Sequence, residues 1–360
     1  MHLGFSLTPY GHHPAAWQET RSSENLGFNA LLRQVVAAEE ADFDFILLSD
    51  RLGAQPTDDL SPIAAPFEPT TLVSGLATRA RRIGFLAAAS TTQHEPYNLA
   101  RRFASLDHIS HGRTGWVALP GSNELAREQE YLTLVSELWG SWEDDAFIYD
   151  KAKGRFFEPG KMHVLNHKGA YFSVRGPLNV NRSPQGKPVM AHVLTPESQP
   201  LSAQSGEVVL VQAESPDLAA EAASDFLLAL QAVGRSRRDI RLLANVIPYV
   251  SSSRQEAEAL REKLRTAEEG VSQPLSGAVL IGNPTDVADS LEAWFKAGHL
   301  DGFTILPPTV GAADIFLDQV APELRLRGLI TPRSGQSLRD YLDLPYPAHP
   351  AAGLELRHEQ

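Results

Sequence analysis

The chain has 360 residues, 42% of them hydrophobic, and a formal net charge of −12, which suits two average domains or one large α/β barrel. An acidic balance without a basic stretch argues against nucleic acid and anionic membrane as partners. The absence of cysteine excludes disulfides, thiolate catalysis and cysteine-ligated metals, and no apolar run approaches the roughly 20 residues that a membrane span requires.

Met1-His2-Leu3-Gly4-Phe5 opens the chain as a strand without a basic leader, so no signal peptide and a cytoplasmic location are expected. Leu3 to Thr8 forms this first predicted strand, followed by a loop carrying His12, His13 and Trp17. A helix over 28–41 places Leu31, Leu32, Val35 and Val36 on one face, and Phe43 to Leu48 is a second strand ending in Ser49-Asp50-Arg51. A short helix is predicted from Pro69 to Thr78. Ile83 to Ala89 is too continuously apolar for a strand with one wet face, which suits burial on both sides. Polarity switches at its end to Ser90-Thr91-Thr92-Gln93-His94-Glu95. Pro96 then opens a helix with Leu99, Phe103, Leu106 and Ile109 at helical spacing, and Gly115 to Leu119 begins the next strand. A long helix over 123–142 turns Leu125, Tyr131, Leu132, Val135, Leu138 and Trp139 inward.

The segment 143–187, rich in Gly, Pro, Asp, Lys and His, reads as an extended excursion over the surface. Strands resume at 189–194, 208–212, 242–250 and 302–306, with helices at 217–233, 255–268, 285–297 and 312–327. About eight alternations of strand and helix favour a (β/α)8 TIM barrel over a doubly wound sheet. No GxGxxG follows the first strand and no GxxxxGK[ST] occurs, which removes the nucleotide folds built on those loops. The expected organisation is one barrel domain over 1–330 and a C-terminal extension over 331–360.

Barrels place their sites at the C-terminal ends of strands, which selects Asp50 and the cluster Ser90, Thr92 and His94. Structural roles compete: Asp50 as partner of Arg51 or of a helix N-terminus, and Ser90 to His94 as caps of the helix at Pro96. His12 and His13 are adjacent and diverge, without a nearby carboxylate cluster; His163 and His167 stand four apart off any helix. No metal site is expected from either pair, and a metal-dependent barrel hydrolase lacks a ligand set. Glu143-Asp144-Asp145 reads as a solvated helix end, and Trp139 and Trp142 as core or interface aromatics.

Several stretches together resemble the nitrilotriacetate monooxygenase branch of the bacterial-luciferase-like flavin monooxygenases. They are GHHPAAW at 11–17, FDFILLSD at 43–50, STTQHEPYNLARRFASLDHISHGRTGW at 90–116, LWGSWEDDAFIYDK at 138–151, NHKGAYFSVRGPLNVNRSPQGKPV at 166–189, GNPTDVADSLEAWFKAGHLDGFTILPP at 282–308 and PELRLRGLI at 322–330. The resemblance implies a luciferase-like (β/α)8 barrel, a homodimer, reduced flavin mononucleotide (FMN) delivered by a separate flavin reductase, and oxygenation of a small organic substrate with O2. By family pattern Asp50 and Thr92 face the flavin ring, with Ser90 and His94 beside them, and His12, His13 and Trp17 line the substrate pocket.

Three departures from the pattern cluster at the flavin's phosphate end. Val117 replaces an asparagine, Leu125 replaces a tyrosine after an Arg-to-Glu124 exchange, and Pro196 replaces a serine. Each lost charge-assisted hydrogen bond to a phosphate is worth on the order of 1.5–3 kcal/mol. His192, Thr195, Ser122, Arg127 and the Ser251-Ser252-Ser253-Arg254 helix start are the residues that offer a replacement anion site. The sequence thus leaves two readings: a reduced-flavin monooxygenase, or a degenerate member that has lost flavin and serves as a non-catalytic subunit or binding protein.

Overall fold

Eight parallel strands close into a ring in the computed structural model, which describes residues 1–19, 27–49, 67–267 and 276–350. The first four are β1 (His2–Ser6), β2 (Phe45–Leu48), β3 (Gly84–Ser90) and β4 (Thr114–Leu119). The excursion then contributes two hairpins, β5 (Phe147–Asp150) with β6 (Arg155–Phe157), and β7 (His167–Lys168) with β8 (Ser173–Val174). The ring resumes with β9 (Val189–Leu194), β10 (Val208–Val211) and β11 (Arg241–Val250). After β12 (Ala278–Gly282), β13 (Gly302–Ile305) pairs with both β11 and β1 and closes the ring. Strand β12 stands outside this closure, beside the C-terminal half of β11.

Alternation along the strands explains the unbroken apolar runs. Phe45, Leu47, Leu86, Ala88, Val117, Val189, Ala191, Val208, Leu210 and Leu243 form one buried cluster inside the ring, whereas Ile46, Leu48, Phe85, Ala87, Trp116 and Ala118 belong to the cluster that the surrounding helices cover. Those helices are α1 (Phe28–Glu40), α2 (Pro69–Leu76), α3 (Pro96–Ile109), α4 (Leu125–Trp139), α5 (Gln199–Ser205), α6 (Pro216–Ala232), α7 (Arg254–Thr266) and α8 (Pro284–Lys296). They are followed by α9 (Val310–Ile315), a π-helical turn over Phe316–Val320, and α10 (Ala321–Leu326). Local chemistry sets the starts: the Glu68 carboxylate accepts from Thr70 N and Thr71 N ahead of Pro69, Ser215 caps α6, and Asn283 with Asp286 forms a capping box on α8.

The last described segment fills the end of the barrel opposite the strand C-termini. Leu338 of α11 (Leu338–Tyr341), Leu342 and Leu344 join the cluster inside the ring. Leu338 N donates to Gly112 O at 2.9 Å. Beside them buried Arg339 donates to Glu207 (Nη1–Oε1 2.9 Å).

Several expectations are corrected. Leu125 is exposed rather than inward, because it is the first residue of α4, and Ile109, though at helical spacing, is exposed where α3 ends. The excursion is not confined to the surface: Leu178, Arg182, Ser183 and Gln185 are buried. The triplet Glu143-Asp144-Asp145 is not simply solvated, since its carboxylates pair with His163, Arg182 and Lys161 and staple the excursion to the end of α4. Strand β12 and helix α5 were not expected from the sequence. Among the described residues no helix is long and apolar enough to cross a membrane.

Candidate functional site

At the C-terminal ends of β4 and β9, against the starts of α4 and α5, lies a cavity of about 510 Å³. Ala118, Leu119, Leu125, Val193 and Leu201 supply its apolar wall, and Ser122, Glu128, His192, Thr195, Glu197 and Ser198 its polar one. This is the end of a parallel barrel where loops and strand termini converge.

Glu128 is the least expected of these residues. It sits on the first turn of α4 and is 1% exposed. Its Oε1 accepts from Ser122 N (3.1 Å) and from Arg127 Nη1 (3.0 Å), while Oε2 is buried without a partner. Arg127 also donates to Thr91 O at 3.2 Å and stacks over Tyr131 and Phe172. His192, also 1% exposed, has its pKa pushed down to about 4 by burial and by the nearby Arg235 charge, so it is neutral at pH 7. Ser205 Oγ donates to Leu201 O and therefore accepts from His192 Nε2–H at 2.9 Å. That tautomer leaves Nδ1 as an acceptor, buried and unpartnered.

The hydroxyls of Thr195 and Ser198 and the amides around them are engaged within the chain. Thr195 Oγ1 donates to Glu197 and accepts from Ser198 N. Ser198 Oγ donates to Val193 O and accepts from Thr195 N. Gly121 N points to Thr91 Oγ1 and Glu124 N to Ser122 Oγ.

The expected ring-facing cluster sits next door, at the end of β3. Ser90 Oγ and Thr92 Oγ1 are 2.9 Å apart, and Thr92 N donates to Ser90 Oγ. The loop after β4 presses on them, since a Cβ on Gly121 would meet Thr92 Oγ1 at 2.4 Å. The His94 carbonyl accepts from Tyr131 Oη at 2.8 Å. His12, His13 and Trp17 follow β1 at the same barrel end: His12 Nε2 bonds Ser6 O, buried His13 accepts from Ala15 N, and Trp17 is exposed. Asp50 lies outside the described residues.

Of the three departures from the family pattern, Leu125 lines the cavity, whereas Val117 faces the barrel interior and Pro196 lies at the surface between two lining residues. The serines before α7 offer no replacement anion site, because Ser251 Oγ and Ser252 Oγ both donate to Glu256. His163 and His167 do not meet: His163 pairs with Glu143 and His167 with Glu130. Glu143, His163 and His349 gather within 4.8 Å of one another, a half-buried group that sequence spacing does not reveal.

Reduced FMN fits this site at one end only. The Ser90–Thr92 cluster and the apolar wall suit a flat, partly polar ring. The phosphate end does not: the cavity wall holds two carboxylates, and among the described residues lining it there is no lysine or arginine. Pro120 and Pro196 have no N–H to offer. Sequence reasoning missed Glu128 because it looks like any polar residue of an amphipathic helix.

Comparison with known proteins places these observations. The family model described as luciferase-like monooxygenase matches residues 7–300. The chain is 31% identical to nitrilotriacetate monooxygenase component A of Aminobacter aminovorans, covering 98% of each. It is 30% identical to N-acetyl-S-(2-succino)cysteine monooxygenase of Bacillus subtilis (strain 168), covering 96% of this chain and 97% of the relative. Those alignments run over 449 and 429 positions, more than the 360 residues here, so both relatives carry segments that this chain lacks. The solved structure of EDTA monooxygenase from Chelativorans sp. BNC1 superposes with a TM-score of 0.83 at 25% identity, covering 96% of this chain and 99% of that one. A closed parallel barrel and matches over nearly the whole chain lead to one assignment: the protein belongs to the luciferase-like monooxygenase family.

Proposed function

We propose that the protein is a monooxygenase that takes a reduced flavin from a separate flavin reductase and oxidises a small organic molecule with O2. The observation that carries this reading is the cavity at the ends of β4 and β9, adjoining the polar cluster Ser90–Thr92 at the mouth of a luciferase-like barrel. The flavin supplies the oxygen chemistry when bound. The chain's own residues position and shelter it: Ser90 and Thr92 present hydroxyls to the ring edge, and Ala118, Leu119, Val193 and Leu201 exclude water. Asp50 and His94 belong to the ring side and His12, His13 and Trp17 to the substrate side. In this reading the protein is a cytoplasmic homodimer.

The test is equilibrium titration with flavins in the oxidised and reduced states, followed by oxygen uptake with a reductase and candidate substrates. Failure of every flavin to bind up to high micromolar concentration, in both states, overturns the proposal. Buried Glu128 favours a second reading, a family member retained as a non-catalytic subunit or binding protein. That reading expects no flavin binding together with stable association with another chain.

A further inference from the structure

The bonding pattern of the cavity wall specifies what it accepts. Two buried atoms of lining residues have no partner, Glu128 Oε2 and His192 Nδ1; both are acceptors and both lie beneath the cavity surface. The amides of Ser122, Thr195 and Ser198 and the hydroxyls of Thr195 and Ser198 are engaged internally. Ser122 and Asn123 are the neutral side chains left to donate. The Arg127 guanidinium is held by Glu128, Thr91 O and two aromatic rings. A phosphomonoester is an acceptor with a charge near −2 at pH 7. It would find acceptors opposite it and two carboxylates, Glu128 and Glu197, in the wall. A hydroxyl-bearing chain without charge meets no such repulsion and can pair with the Ser122 and Asn123 side chains.

We infer that this cavity receives an uncharged, hydroxyl-bearing tail and rejects a terminal phosphate, so that the flavin form it takes is riboflavin rather than FMN. The inference rests on the flavin reading above and narrows it. Glu128 is the discriminating residue: its carboxylate occupies Ser122 N–H and the adjacent Arg127, two donors that an anion would otherwise use. Glu197, exposed at the rim, adds a second negative charge.

The experiment compares riboflavin with FMN on the full chain, oxidised and reduced, by fluorescence quenching or calorimetry at pH 7.5 and fixed salt. Riboflavin is expected to bind at least tenfold more tightly than FMN. Glu128→Gln, which releases Arg127, is expected to tighten FMN tenfold or more while changing riboflavin less than threefold. Glu197→Gln, at an exposed position, keeps the test alive should the buried substitution unfold the chain, and is expected to tighten FMN by a smaller factor. FMN binding tenfold tighter than riboflavin to the unmodified protein overturns the inference and leaves the flavin reading standing. Absence of binding by both flavins in both redox states overturns the two together.

Discussion

Arg339 is expected to hold the lower end of the barrel closed, and Arg339→Ala measures how strongly. Its guanidinium, 2% exposed, donates to Glu207 Oε1 (2.9 Å) and Oε2 (3.3 Å) and to the carbonyls of Pro345 (3.0 Å), Lys187 (3.3 Å) and Gln185 (3.3 Å). Burial raises the Glu207 pKa, but the charges of Lys187 and Arg339 outweigh it and hold the carboxyl at about 2. Without Arg339 the Glu207 carboxylate stays buried with Lys187 Nζ at 3.7 Å and the Met190 N–H as its remaining partners. Breaking a buried pair this way costs about 3–5 kcal/mol. The shift from 4.5 to about 2 gives a similar figure, on the order of 3 kcal/mol at 1.36 per pH unit. At a urea slope near 3 kcal/mol/M this moves the unfolding midpoint down by about 1 M. The depressed pKa also fixes a sign: the stabilisation is present above pH 4.5 and is lost as pH falls towards 2. Arg339→Ala is expected to lose part of that acid sensitivity, the Lys187 charge and the Met190 N–H keeping the rest, and Arg339→Met combined with Glu207→Met to recover most of the stability. A midpoint unmoved in Arg339→Ala would refute the anchoring role.

Three further substitutions probe the frame around the site. Burial raises the Asp107 pKa to about 7 against hydrogen bonds from Thr114 N and Gln185. Its contribution is therefore full below about pH 4 and is lost as pH rises through 7; Asp107→Asn is expected to remove a decline on the order of 4 kcal/mol in urea stability between pH 4 and 7. His192 acts in the opposite sense, losing stability as pH falls from 6.5 to about 4, so the variant should show a net rise with pH. Arg113→Met strips four buried carbonyls, Ile83, Ser110, Ala77 and Ala80, of their donor and is expected to cost about 3 kcal/mol or more by the same assay. Glu130→Ala removes the acceptor of the Ala170, Tyr171 and Phe172 N–H groups and of His167. Limited proteolysis should then cut near 169–172 at least tenfold faster, with the rest of the barrel resistant.

How much of this was legible in sequence follows from where the information sits. The β3–α3–β4 unit reads off directly, because a barrel strand buried on both faces writes an unbroken apolar run, and Pro96 marks the helix start. Strand β12 did not read, since its middle residues are partly exposed and its neighbours give no periodic signal. Helix α5 is short, polar and opens with Gln199-Pro200, which resembles a loop. Leu338, Leu342 and Leu344 look like isolated apolar residues in a polar tail until the barrel supplies the cavity they fill. At the candidate site, the polar cluster Ser90–Thr92 was visible because strand ends are where barrels work. The burial of Glu128 was not, because it depends on how the Ser122 loop folds back onto the first turn of α4, where Ser122 N and the adjacent Arg127 meet its carboxylate.

The departures at the phosphate end therefore act together. By the family resemblance Leu125 stands for a tyrosine and Pro196 for a serine, exchanges that would delete donors and alone leave a weaker anion site. The Glu128 carboxylate changes its character, because it takes the place that a ligand anion would hold beside Ser122 N–H and Arg127. A donor satisfied inside the protein no longer gains from a ligand, and an arriving phosphate would have to displace a buried ion pair. Only Val117 of the three departures falls on a barrel strand, β4; Leu125 and the carboxylate of Glu128 begin α4, and Pro196 follows β9. Ligand choice in this fold thus turns on the loops and helix starts at the strand ends, while the ring beneath keeps its packing.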